Sequence, residues 1–183
     1  MRLLPLFLLV IAACNDPFGD LPPPNFENTV DTVSLYALSG TPVTLPSGYS
    51  IFGKEPMRTD QASETLTFDF AFDIDADGNA QLFPTGALHL GRSSGLQLST
   101  EEFDAITLAP TGNYQRDSAV VVAENSVAIA ASRPQSCGNL TTASLFAKLR
   151  VLKIELSDRH IELEILVDRN CGYRGLEPGL PRR

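Results

Sequence analysis

Tryptophan is missing from this chain, and histidine and methionine occur only twice each. Two histidines leave little material for general bases or transition-metal sites. Basic residues are in the minority, 14 against 22 acidic, for a formal charge of −8. Nucleic-acid-binding proteins carry a basic footprint, so the balance argues against such a partner. It argues equally against electrostatic docking on anionic lipid. Solubility alone accounts for the excess of acid. No apolar run is long enough to span a bilayer: Leu3–Ala13 falls well short of the roughly 20 residues such a helix needs. Helical periodicity is nearly absent, and there is no internal repeat.

What the chain does have begins at its N-terminus. Arg2 supplies a positive charge, Leu3–Ala13 is apolar with Pro5 inside it, and Ala12 and Ala13 are small. This is the layout of a secretory signal peptide rather than of a core helix. Ile11-Ala12-Ala13-Cys14 resembles the lipobox of bacterial lipoproteins. The resemblance is confined to the leader and implies no activity. It implies cleavage before Cys14, a diacylglycerol on its sulfur and, usually, an acyl group on its amine. An ordinary secreted protein is the alternative. Two or more acyl chains, at about 0.8 kcal/mol per buried CH₂, anchor a protein stably where one does so only reversibly.

The expected organisation is a cleaved signal peptide over 1–13, lipidated Cys14 with a proline-rich tether over 14–27, and one β domain over 28–183. In extended form the proline-rich stretch Asn15–Asn25 gives on the order of 30 Å of standoff, at about 3.1 Å per residue. Asn15 is not the aspartate that some enterobacterial systems read as an inner-membrane retention mark. The expected address is the bacterial envelope, outer membrane or cell surface, with the domain in the periplasm or outside. Losing residues 1–13 removes one basic residue and no acidic one, which leaves a balance of −9.

With Cys14 assigned to lipid, Cys137 and Cys171 remain as an even pair, expected to form a disulfide in an exported compartment. Closing that loop contributes roughly 3–4 kcal/mol in the chain-entropy model. The pair lacks the CxxC spacing of zinc or redox sites.

Beyond the tether the dominant period is two. Leu66, Phe68, Phe70, Phe72 and Ile74 share one face of 65–75, and Asp77-Gly78 then signals a hairpin returning through 80–83. A second hairpin runs out over 145–156, turns at 157–160 and returns with Ile161, Leu163, Ile165 and Val167 on one face. Its outgoing strand changes parity between Val151 and Leu152, as a bulge would. Shorter strands are expected over 30–38, 43–45, 49–52, 87–90, 97–98, 119–123 and 126–131, the last two about a turn at Glu124-Asn125. One short helix is expected where Ser99-Thr100-Glu101-Glu102 has capping-box form ahead of Phe103 and Ile106. The tail 172–183 reads as an irregular strap. Many short strands and almost no helix imply an all-β fold, an antiparallel β-sandwich of about ten short strands with at most one short helix. A closed, lipocalin-like barrel is the alternative.

Three patterns resemble chemistry. Asp73-x-Asp75-x-Asp77-Gly78 copies the opening of a calcium loop, but Pro84 stands where an EF-hand places its bidentate glutamate. A solvated strand face entering a turn is the simpler reading, with Asp69 on that same face and calcium the lesser alternative. Gly91-Arg92-Ser93-Ser94-Gly95 matches the nucleophile elbow, yet that mechanism needs a helix after the serine, and Leu96-Gln97-Leu98 follows instead. A Gly/Ser loop is the expectation. His89 is expected on a strand's polar face and His160 in its turn. No catalytic site and no cofactor are assigned. The functional expectation is a lipid-anchored, non-catalytic structural or protein-binding module, whose partners are the membrane, through the N-terminal lipid, and an envelope or surface protein. The alternative is a carrier binding a small apolar ligand within a barrel, for which the phenylalanines at 68, 70 and 72 would line the cavity.

Overall fold

The computed structural model describes residues 22–61, 68–91, 94–137 and 142–182. Its strands are β1 (Val30–Tyr36), β2 (Gly48–Ser50), β3 (Glu55–Met57), β4 (Phe70–Ile74), β5 (Ala80–Pro84) and β6 (Gly95–Ser99). They continue with β7 (Val120–Val122), β8 (Val127–Ala131), β9 (Gln135–Ser136), β10 (Thr142–Ala143), β11 (Phe146–Glu155) and β12 (His160–Asp168). The first sheet has the order β1-β12-β11-β8-β6, the second β3-β2-β4-β5-β7, and β9 and β10 make a small ribbon. All pairings are antiparallel. The two five-stranded sheets stack with edge strand β1 over β3 and β4, and edge strand β6 beside β5 and β7. Neither sheet closes on itself. The fold is an antiparallel β-sandwich, and the barrel alternative falls with that topology.

Alternation builds the main core. Phe70, Phe72 and Ile74 from the second sheet meet Leu149, Ile161, Leu163, Ile165 and Val167 from the first, with Tyr49, Leu82 and Leu96 between them. Each such side chain contributes about 1.5–3 kcal/mol on burial. Phe68, Phe70 and Phe72 are all buried, and Phe70 and Phe72 belong to the cluster between the sheets. Leu66 lies outside the described residues. At the β4–β5 hairpin Asp75 N–H donates to Asn79 O at 3.0 Å, and Gly78 takes φ 87°, a left-handed conformation that favours glycine. In the β11–β12 hairpin Val151 pairs with Leu163 and Lys153 with Glu162, which leaves Leu152 as the bulge that its sequence parity announces.

Several local expectations are overturned. The stretch 43–45 is a turn, not a strand: Leu45 N–H donates to Pro42 O at 3.0 Å and Val43 is exposed. The stretch 87–90 is also a turn, with His89 at φ 60° and its N–H on Gly86 O, so His89 occupies no strand face. His160 opens β12 opposite Tyr36 and Glu155 instead of sitting in the turn. Ser99 ends β6, and its Oγ accepts from Glu101 N–H at 3.0 Å. That local bond replaces the capping box; only a single 3-10 turn, Phe103–Ala105, follows, and Glu102 makes no side-chain cap. The Glu124-Asn125 turn exists, but it carries the chain between sheets, since β7 pairs with β5 while β8 pairs with β11 and β6.

The tail is an irregular strap, as expected, and it is well packed. Leu176 is fully buried and Tyr173 nearly so. Together with Phe103, Ile106 and Ala109, Leu176 covers Val127, Ile129 and Leu166 on the outer face of the first sheet, making a second core. All five residues of β8 are therefore buried.

Candidate functional site

Two aspartates of the calcium-like motif, Asp73 and Asp75, are already engaged with donors. One oxygen of Asp75 accepts from the N–H groups of Asp77 and Asn79 at 2.9 and 2.8 Å, and the other accepts from the Asn79 and Gln81 side-chain amides. The Asn79 bonds hold its carboxyl below the usual range. Asp73 Oδ1 accepts from Ser39 Oγ at 2.7 Å and faces Arg159 Nη2 at 3.4 Å, across to the β11–β12 turn. Among the described residues no three His, Cys, Asp or Glu side chains converge as a metal site. Asp73 pins two loops together and Asp75 closes the hairpin, where Asp77 contributes its backbone N–H.

Asp69 does not share the solvated face expected of it. It is 1 % exposed, in the loop just before β4, where Oδ2 accepts from Ile51 N–H at 2.7 Å and Oδ1 from Arg133 N–H at 2.9 Å. Burial pushes its carboxyl above the ordinary range; the two backbone donors and the Arg133 guanidinium oppose the shift. The apolar alternation around it gave no sign of this role as a clamp between three loops.

In the serine pattern, Arg92 and Ser93 lie outside the described residues. Ser94 is fully buried, and its Oγ accepts from Thr85 N–H at 2.9 Å and bonds Thr85 Oγ1 at 2.8 Å. No helix follows. Gly95 begins β6, and a Cβ there would stand 2.7 Å from the Tyr114 Cβ. The glycine serves close packing rather than a nucleophile elbow. His89 and His160 sit on separate elements, His160 with its ring 5.7 Å from that of Tyr36.

The residues that converge are those that fasten the N-terminal segment to the strap, and sequence patterns did not single them out. Buried Asn170 receives the N–H groups of Asn25 and Phe26 on Oδ1 at 2.9 and 3.0 Å, and its Nδ2 donates to Phe26 O at 2.8 Å. Asn28, also buried, donates from Nδ2 to Gly175 O and Glu177 O while its backbone exchanges two bonds with Gly179. Tyr173 Oη donates to Pro22 O at 3.0 Å. Arg169 stacks over the Phe26 ring at 4.5 Å. The tether expected over 14–27 is thus part of the body from Pro22 onward. A disulfide joins Cys137 to Cys171 with their Cα atoms 5.6 Å apart, tying the start of the strap to the β9–β10 region.

Lys148 belongs to the same side of the molecule. It is 2 % exposed and donates from Nζ to Phe103 O and Ile106 O at 2.8 and 3.0 Å, with Nζ 4.6 Å from the centre of the Phe103 ring. Burial pushes its ammonium below the usual lysine value, and Asp104, Glu177 and Glu164 pull it back. Two open grooves meet at Thr107 and Leu108. One of about 390 Å³ lies along β6 between Leu98, Ile106 and Leu108; the other, about 430 Å³, lies between Leu108, Pro178 and Leu180.

Cys14 and the leader fall outside the described residues. Among the described residues no helix is long and apolar enough to cross a membrane. No protein-family model matches the chain, and a search of curated proteins finds no match either.

Proposed function

We propose that this chain is a lipid-anchored extracytoplasmic β-sandwich, serving the envelope as a non-catalytic structural or protein-binding module. The observation that carries the reading is the lipobox-like Ile11-Ala12-Ala13-Cys14 behind its charged, apolar leader. The Cys137–Cys171 disulfide supports it, because such bonds persist in oxidising compartments outside the cytosol. Structural hydrogen bonds engage Asp75 in its turn, Ser94 with Thr85 and Lys148 with two carbonyls.

Cys14→Ser tests the reading. The variant should leave the membrane fraction with its leader uncleaved by the lipoprotein peptidase, and the mature native chain should carry diacylglycerol mass on its first residue. Membrane retention of the variant overturns the anchor.

A further inference from the structure

Fastening Pro22 to the body fixes how the molecule can stand. Between Cys14 and Pro22 lie only residues 15–21. Fully extended, at about 3.3–3.6 Å per residue, that segment spans under roughly 30 Å. Its far end is held by Tyr173, Asn170 and Asn28, all on or beside the strap. A body of this size has a radius of gyration of about 15 Å. The leash is therefore shorter than the molecule is wide, and it leaves from the strap side.

That side also exposes apolar surface in a connected arrangement. Leu108 and Leu180, 51 % and 52 % exposed, share the wall of the 430 Å³ groove. Leu180 follows Gly179, the bridge partner of Asn28, and exposed Phe26 precedes Asn28 by two residues. Only one acidic and one basic side chain, Glu177 and Arg182, border that groove, so it is locally neutral in a strongly acidic chain. The neutral, leucine-bearing groove, rather than the adjoining one that shares Leu108 and adds Glu101, suits the interface of a bilayer beside a short leash, since acidic side chains are repelled by anionic lipid.

We propose, resting on the lipid-anchored reading above, that the strap-covered face of the first sheet lies on the bilayer, with Leu108 and Leu180 at the level of the headgroups. The acyl chains supply the affinity; the leucines set the orientation. The second sheet then faces away from the membrane and is the surface presented to partners.

The absence of tryptophan makes the test direct. Leu180→Trp, Leu108→Trp and, as control, Val43→Trp each place one indole at an exposed position, so the fold should tolerate all three; equal melting temperatures check this. The full lipidated chain is reconstituted on phosphatidylethanolamine–phosphatidylglycerol vesicles with brominated acyl chains, and flotation is measured beside fluorescence. The proposal expects all three to float, and the indoles at 180 and 108 to be quenched several-fold more than that at 43. Floating protein with equal quenching at all three positions overturns the orientation and leaves the anchor standing. Protein that does not float despite an intact Cys14 overturns the anchor and the orientation with it. A concentration-dependent blue shift at 180 without quenching assigns the surface to a second copy of the chain and also overturns the proposal.

Discussion

On their outer faces the two large sheets differ in what covers them. In the second sheet alternation persists in β5 and β7, where Ala80, Leu82 and Pro84 are buried while Gln81 and Phe83 are half-covered, and Val121 is exposed between two buried valines; it lapses in β2, buried throughout, and in β4, where Phe70, Ala71 and Phe72 are buried in succession. In the first sheet it fails at one end. β8 is buried throughout, and Ala147, Lys148 and Leu149 of β11 are buried in succession. The strap and the 103–109 segment cover that end, whereas the bulged end of β11, with Leu152 and Lys153, stays open to solvent. A strand reads as alternating when one face is wet and as continuous when both are dry. Among the described residues a second apolar cluster covers the outer face of the first sheet only.

Truncation in the shared core should have the largest effect. Phe72→Ala removes a fully buried ring between the sheets and should cost about 3–5 kcal/mol in urea unfolding, with all probes lost together. Replacing Cys137 and Cys171 together by serine should cost roughly 3–4 kcal/mol for a closed loop of this span, separation 34. Leu176→Ala belongs to the outer core and should cost about 2 kcal/mol, since a strap can settle around the gap. Hydrogen exchange should then quicken in 103–109 and 173–179 and stay slow in β4 and β5. Uniform quickening would show the two cores to be one cooperative unit and break the comparison. Asn170→Ala should cost about 1–3 kcal/mol by stranding the N–H groups of Asn25 and Phe26, and should expose the 22–28 segment to protease.

The smallest effect is one of pH. Burial raises the folded-state pKa of Asp69, so above about pH 3.9 the folded chain binds more protons than the unfolded one. Its contribution to stability accordingly falls as pH rises through the window from that value to the raised one. Asp69→Asn should flatten this part of the stability curve, read as urea midpoints across the acid range. An unchanged slope would show that the backbone donors and Arg133 fully offset the effect of burial.

The sequence made the hairpins legible because each combined alternation with a turn signal: Phe70, Phe72 and Ile74 before Asp77-Gly78, and the parity change at Val151 that became the bulge. The paired cysteines were legible by elimination. Sheet membership was not. The runs 119–123 and 126–131 read as neighbours about Glu124-Asn125, yet the turn between them crosses from one layer to the other, a choice made by partners distant in sequence. Short apolar runs such as 43–45 and 87–90 misled, because nearby proline or glycine carbonyls captured their N–H groups as turns. Nor could pattern reading find Asn28, Asn170 or Asp69. A polar residue that will be buried against backbone looks the same in sequence as one that will be wet.

β1 pairs along its whole length with β12, residue 30 opposite 166 and residue 36 opposite 160. Consecutive strands β6, β7 and β8 meanwhile alternate between layers. Such wiring defers most of the pairing until late segments arrive, and high contact order slows closure to about milliseconds to seconds. A polypeptide that cannot complete its sheets early remains an open thread until its last strands are in place.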